Sequence, residues 1–331
     1  MFLPMIKFNS KTLFMAPMAE ITTPSLRRCV RKFDKETVLY SEMLSGAAIS
    51  FGSSHNEPLT IINENDEPFV FQLLGGDPGT MAEACRILAE KKCSGIDINM
   101  GCSAPDIVKK FQGSRLLSDM AATREIVKQC RKVFSGTLSV KMRSGFEESD
   151  NKYLVDFAKM LEAEGVNYIT LHPRHGKLSF RRTADWSLVK LLKEKIQIPV
   201  VGNGDIASPD DVKRRFGETG CDGIMIGRNA VAAPWIFALA RGLLNDGSYK
   251  LEVNLPDVFS DVLLGIKKDL PEHLHKSRGH RFAFYFCKNF IFAHDIFKKI
   301  RNVDELDLMI EIINEYVIRN PEERVKVFEQ E

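Results

Sequence analysis

The stretch "APMAEITTP", Ala16–Pro24, follows a short β-rich run at 12–16 and contains no glycine. That absence decides between two parallel α/β architectures. A doubly wound nucleotide-binding sheet usually leaves its first strand through a glycine-rich turn that lets the backbone approach a pyrophosphate. Here the turn is built from Pro17, Met18, Ala19 and Glu20. Outward from it, β-rich runs recur at 38–41, 69–73, 95–99, 137–142, 168–171, 198–202 and 222–226. Helical patterns fall between them, clearest at 80–91, 123–134, 153–164, 186–195 and 209–216. Ser208-Pro209-Asp210-Asp211 reads as a helix start, with a capping hydroxyl, a proline in the first turn and two acids after it. Gly95, Gly136, Gly165 and Gly220 lie between a helix and the next strand, as helix-ending glycines do. Strands alternating with helices predict a parallel sheet, and eight of them close a (β/α)8 TIM barrel of about 250 residues.

The alternation stops near Gly247, and "GSYKLEVNLPDV", 247–258, reads as a linker. From Val258 the pattern is helical. The expected organisation is a catalytic barrel over 1–245 and a helical domain over 250–331.

The chain has 331 residues, 44% hydrophobic and 27% charged, an ordinary soluble composition. Its 46 basic and 44 acidic residues leave a net charge of only +2, so any polyanion-binding patch has to be local. The seven cysteines are odd in number and scattered, with no CxxC pair. This argues against a disulfide framework and a zinc site, and fits a reducing cytosol. No His/Asp/Glu cluster has metal-ligand spacing, and no metal is expected. There is no nucleophile elbow to support a Ser–His–Asp triad. "MFLPMIKFNSKTLF" is a poor signal peptide, and no run of about 18 apolar residues suggests a membrane span. A cytoplasmic monomer that does not engage membranes is expected.

In a barrel the active site forms where the strands end. Those ends carry Pro17-Met18, Glu42, Gln72, Asn99 with Cys102, Lys141 with Arg143, His172, Asn203-Gly204-Asp205 and Gly227-Arg228. Polar residues at a strand end are ordinary one at a time; one Gln, two Asn, one Lys and one His around one ring point to a site. "VVGNGDI" and "MIGRNA" place glycine-containing turns after strands seven and eight, where barrels commonly bind phosphate. Arg228 can add a bidentate contact there. Lys141 and His172 suit the stabilisation of negative charge on a flavin or an enolate. Taken alone, Cys102 is a small packing residue. At the fourth strand end, among Lys141, His172 and a phosphate site, it reads as a thiol held out for chemistry.

With these motifs in order, the chain resembles the tRNA-dihydrouridine synthases. The resemblance covers about 14–240 and rests on "MAPMAEITTPSLRR", "YSEM", "FQLLGGDP", "IDINMGCSAPDIVKKFQGSRLL", "VKMRSGF", "ITLHPRHGKLSFRRTADW", "IPVVGNGDI" and "DGIMIGRNAVAAPWIF". It implies a TIM barrel followed by a helical domain, FMN as cofactor, NADPH or NADH as reductant, and tRNA as substrate. It also implies roles. Pro17 and Met18 would lie against the flavin, Gln72 at its polar edge, Lys141 at its N1/O2 side and His172 nearby. Asn203, Gly204, Gly227 and Arg228 would hold the phosphate, and Asp205 would be a further cofactor contact. Asn99 would face the uracil, with Arg143, Arg174, Lys177, Arg181, Arg278 and Arg281 as further substrate contacts. Cys102 would be the general acid, giving a proton to C5 after hydride reaches C6; an ordinary thiol, with pKa near ~8.5, is mostly protonated at neutral pH. The base would have to leave the RNA stack.

Three departures stand out. Family members usually carry proline directly after the cysteine; here Ser103 intervenes and proline comes at Pro105. Glu20 stands where glycine is common, and Arg181 and Arg182 stand where another glycine is common. Between Lys267 and Arg301 there are nine basic and three acidic residues, a local net charge of 9 − 3 = +6 that suits RNA phosphates. The aromatics Phe282, Phe284, Tyr285, Phe286, Phe290 and Phe292 read as helix core. Two other readings compete: an FMN barrel acting on a free pyrimidine or another small molecule, as dihydroorotate dehydrogenases do, and an RNA-binding barrel without catalysis.

Overall fold

The computed structural model describes all residues except 1–5, 10, 149, 178–182 and 331. Eight parallel strands form one sheet: β1 Thr12–Met15, β2 Leu39–Ser45, β3 Phe69–Leu74, β4 Gly95–Met100, β5 Thr137–Arg143, β6 Tyr168–His172, β7 Val200–Asn203 and β8 Gly223–Ile226. Their order is β1-β8-β7-β6-β5-β4-β3-β2. The ring closes through a parallel bridge between Phe14 and Val38, where Met15 N donates to Val38 O at 2.9 Å. The TIM barrel is therefore present, with every expected strand.

Period-two alternation sorts each strand into two environments. In β4, Ile96, Ile98 and Met100 pack outward against the helices, while Asp97 and Asn99 have the opposite parity and face the barrel interior. The lower interior holds an apolar cluster of Phe14, Tyr40, Tyr168, Val201 and Met225. Tyr40 and Tyr168 share a hydroxyl–hydroxyl hydrogen bond of 2.5 Å. Above it the interior turns polar, with Asp97 beside Ser139 and Asn99 beside Lys141 in the strand register.

The helix starts act as read. Ser208 and Asp211 form a capping box on Pro209–Thr219, and Gly220 ends that helix at φ +63°. Gly165, at φ +84°, follows the helix Asn151–Ala163. Gly95 differs: it opens β4, where a Cβ would lie 2.8 Å from Thr137 O, so close strand packing explains it.

The linker reading of 247–258 is corrected. Tyr249–Asn254 forms β9, antiparallel to β10, Val325–Gln330, with Leu251 opposite Phe328. The alternation of Tyr249, Leu251 and Val253 with Lys250 and Glu252 carries a strand pattern, but its partner lies far along the chain. Between these strands run the helices Leu255–Asp269, Glu272–Phe286, Ala293–Ile300 and Leu306–Arg319. The first packs on Pro24–Phe33 at Gly265, where a Cβ would lie 2.3 Å from Ser25 Oγ. Ser25 Oγ donates to Val262 O at 2.6 Å. The helical region is thus seated on the barrel beside the loop that follows β1.

Candidate active site

The strand ends enclose a cleft of about 530 Å³, within the range of about 300–1,000 Å³ typical of small-molecule and cofactor sites. Pro17, Met18, Asn99, Cys102, Lys141, Arg143, His172, Arg174, Asn203, Gly204, Asp205, Gly227 and Arg228 all line it. Gln72, Lys177, Arg278 and Arg281 are not among its lining residues. Gln72 is fully buried beneath the floor. Lys177 is largely exposed and paired with Glu147 at 2.7 Å. Arg181 lies outside the described residues.

Cys102 is held by its backbone. Its N–H donates to Asn99 Oδ1 at 2.9 Å, and its carbonyl accepts from Ser114 N at 2.8 Å. Arg143 Nε donates to Gly101 O at 2.8 Å. These contacts answer the missing proline. Pro105 instead opens the short helix Pro105–Val108, exposed Ser103 continues the cleft wall, and the loop takes its rigidity from Asn99, Arg143 and Ser114. Of the seven cysteines, Cys102 alone is not buried. Burial pushes the Cys29 and Cys287 thiols up to about 12.

The electrostatics favour an anionic guest. Lys141, Arg143, Arg174 and Arg228 converge on the cleft. Burial lowers the Lys141 ammonium to about 8, against the pull of Asp97. His172 falls to about 2, first through burial and then through the surrounding cations, so its imidazole is neutral. Arg174 Nη1 lies 2.9 Å from His172 Nε2. A guanidinium can only donate, so Nε2 accepts and the proton sits on Nδ1. Asp205, expected as a cofactor contact, lines the cleft with its carboxylate turned to the arginines. It accepts from Arg174 Nη2 at 2.8 and 2.6 Å and from Ala184 N at 2.8 Å, and it lies 3.7 Å from Arg228. The carboxylate thus orients Arg174 and lies beside Arg228. Burial alone would raise Asp205, but these partners outweigh it and hold the carboxyl below its ordinary value.

The residues fit a flavin phosphate. Gly204 has φ +129°, and a Cβ there would come within 2.9 Å of Ala184 Cβ and 3.1 Å of His172 Cδ2. The turn after β7 therefore has room only for backbone, next to the Arg228 guanidinium.

Of the expected RNA contacts, Arg278 is committed within the protein, whereas Arg281 stays half-exposed beside its partner. Arg278 Nη2 donates to Glu42 at 3.3 Å, with both side chains buried, and Arg281 bonds Glu20. Glu20 sits at φ +60°, which accounts for the glycine common at this position. Lys267 and Lys276 pair with Asp307 and Asp304, just outside the +6 window, so that count overstates the local field. Lys298, Lys299 and Arg301 are exposed and in no ion pair among the described residues. The aromatic reading also needs correction. Phe282, Phe286 and Phe290 are buried, but Phe284 and Phe292 are 47% and 55% exposed. Tyr285 lines the cleft. Sequence reasoning missed Tyr285 and Met43; Met43 directly follows the strand-end Glu42, whereas nothing local separates Tyr285 from its buried neighbours.

Comparison with known proteins agrees with this geometry. The profile of the family "Dihydrouridine synthase (Dus)" matches residues 14–286. The chain belongs to the dihydrouridine synthase family. As a dihydrouridine synthase family member it is a flavin-dependent oxidoreductase. It is 34% identical to tRNA-dihydrouridine synthase B of Pseudomonas aeruginosa, over 76% of this chain and 75% of that one. It is 31% identical to tRNA-dihydrouridine synthase B of Vibrio parahaemolyticus, over 92% and 95%. Among solved structures, a 2-naphthoyl-CoA reductase complex superposes with a TM-score of 0.53 at 14% identity, over 71% of this chain and 50% of that one. That likeness is one of fold. Among the described residues of this family member, no helix is long and apolar enough to cross a membrane, and no group of three or more His, Cys, Asp or Glu could hold a metal.

Proposed function

We propose that the protein is a tRNA-dihydrouridine synthase of the cytoplasm that reduces the C5=C6 bond of a uridine in tRNA to 5,6-dihydrouridine, acting as a monomer with FMN as cofactor and NADPH or NADH as reductant. The observation that carries this reading is Cys102. It is the one cysteine of seven that is not buried, and it lies in a cleft with Lys141, neutral His172 and Arg228.

Pro17 and Met18 would lie along the flavin ring, Lys141 at its pyrimidine edge with His172 nearby, and Asn203, Gly204, Gly227 and Arg228 around its phosphate. A reduced flavin bound there would supply hydride for reduction of the uracil ring. The chain's own groups do the rest. Cys102 gives its thiol proton to C5 and recovers one from solvent, so it acts as an acid and not as a nucleophile. The Lys141 ammonium stabilises negative charge that develops beside it. Neutral His172 donates from Nδ1 without adding a cation. Asn99, Arg143 and Arg174 line the space for the base, and its extrusion from the RNA stack brings it into the cleft. Exposed Lys298, Lys299 and Arg301 offer phosphate contacts.

The test is reduced enzyme on unmodified tRNA and on free uridine, with dihydrouridine mapped in tRNA and ribosomal RNA from cells lacking the gene. The expected result is dihydrouridine at a defined tRNA position in vitro and its loss in the deletion strain. Turnover of free uridine with none on tRNA would replace this reading with a small-molecule reductase.

A further inference from the structure

Beneath the cleft a chain of hydrogen bonds runs from the barrel interior to Cys102. Ser139 Oγ donates to Asp97 Oδ1 at 2.6 Å, and Gln72 Nε2 donates to Asp97 Oδ2 at 2.7 Å. Asn99 Nδ2 donates to Gln72 Oε1 at 2.8 Å. Asn99 Oδ1 then accepts from Gly101 N at 3.0 Å and Cys102 N at 2.9 Å. Asp97, Gln72 and Ser139 have no exposed surface, and Asn99 is 6% exposed. We infer that Asp97 is a positioning residue for the reaction: through Gln72 and Asn99 it fixes where Cys102 sits. The inference rests on the proposed general-acid role of Cys102.

The direction of each hydrogen bond fixes the relay. An amide side chain can turn end for end, and its two ends look alike to packing. Here both termini of the chain are unambiguous. Two backbone N–H groups can only donate, and Asp97, an acceptor on both oxygens when ionised, presents Oδ2 to the Gln72 amide. Between them a single orientation of Gln72 and of Asn99 satisfies every group. Turning Asn99 would set its Nδ2 against two part-buried backbone donors and cost both of them this acceptor. An acceptor at position 97 thus selects the Gln72 orientation, Gln72 selects that of Asn99, and Asn99 anchors the Cys102 loop. Inward parity on β3 and β4 puts all three side chains in register, with Gln72 beside Asp97 across the strands.

The test uses full-chain, flavin-loaded protein with Asp97→Leu, Asp97→Asn and Gln72→Leu, each checked by thermal melting and flavin absorbance. Iodoacetamide alkylation of Cys102, followed by mass spectrometry, reads the loop without needing turnover; the other six cysteines are buried. In Asp97→Leu we expect severalfold faster alkylation and a fall in kcat of about tenfold to a hundredfold, with KM for tRNA changed by less than about twofold. Asp97→Asn keeps an acceptor toward Gln72, while the Ser139 hydroxyl turns to accept, and it rescues both readouts. Should Asp97→Leu not fold, Gln72→Leu leaves the Asp97–Ser139 pair intact and decides by the same alkylation rate. Wild-type alkylation and kcat in either folded leucine variant would overturn the inference, as would an Asp97→Asn as impaired as Asp97→Leu. A wild-type enzyme that forms no dihydrouridine would sink the proposed function, while the alkylation series would still decide the relay.

Discussion

Arg278 Nη2 lies 3.3 Å from Glu42 Oε2 and joins the helix Glu272–Phe286 to β2, with side chains only 9% and 4% exposed. The pair is imperfectly satisfied: Arg278 Nε and Glu42 Oε1 are buried without a hydrogen-bond partner among the described residues. Removing Arg278 leaves buried Glu42 with the Glu20 N–H as its remaining hydrogen-bond donor. Arg278→Ala is expected to cost about 3 kcal/mol of stability, and the double variant Arg278→Met/Glu42→Leu to recover most of it. Urea unfolding of the three proteins measures both, and additive losses would contradict the pairing.

Cys102→Ala should retain flavin absorbance and tRNA binding. Its rate of dihydrouridine formation should fall by at least about a hundredfold, the usual contribution of a general acid. Single-turnover reduction with preloaded reduced enzyme isolates the step. Full activity in this variant would remove Cys102 from the mechanism.

His172 should stay neutral, with its proton on Nδ1, from about pH 8 down to about pH 5, a range in which an unperturbed histidine gains its charge. Nitrogen-15 correlation spectra of labelled protein distinguish the tautomers and the cation directly. A cation forming near pH 6 would show that the cluster of Lys141, Arg143, Arg174 and Arg228 does not hold His172 neutral.

Burial pushes the Asp97 carboxyl up to about 6 from an ordinary 3.8, against its hydrogen bonds from Ser139 and Gln72 and the charge of Lys141. The folded state therefore holds this proton more tightly than the unfolded chain does. The stability it contributes is fully present below pH 3.8 and is lost as pH rises through about 6. Asp97→Asn does not titrate. Its melting temperature relative to wild type should rise between about pH 4 and about pH 7. A difference that stays flat with pH would mean that Asp97 is not the group responsible.

The architecture was readable from local pattern because its determinants are local. Hydrophobic runs of four to seven residues mark the strands. Ser208, Asp211 and Gly220 mark one helix at both ends. The glycine-free "APMAEITTP" turn settles the choice of barrel. Inward parity then brings the strand-end residues to one mouth, which is why Lys141, His172, Asn203 and Cys102 were found without coordinates. β9 escaped because a strand is defined by its partner, and that partner is β10.

What the sequence determined by itself is the set of groups offered to the cleft: a thiol, a lysine, a histidine, two amides and glycine turns, each set by strand parity and strand ends. Only the tertiary structure decided which of those groups remain available to a ligand. Arg278 is buried against Glu42, a partner 236 residues away, while Arg281 bonds Glu20, 261 residues away, and stays half-exposed. Asp205 turns to Arg174, Gln72 sinks beneath the floor, and Tyr285 enters from the helical region. The physical reason is that charge and hydrogen-bond complementarity act over a few ångströms of space, whatever the distance along the chain.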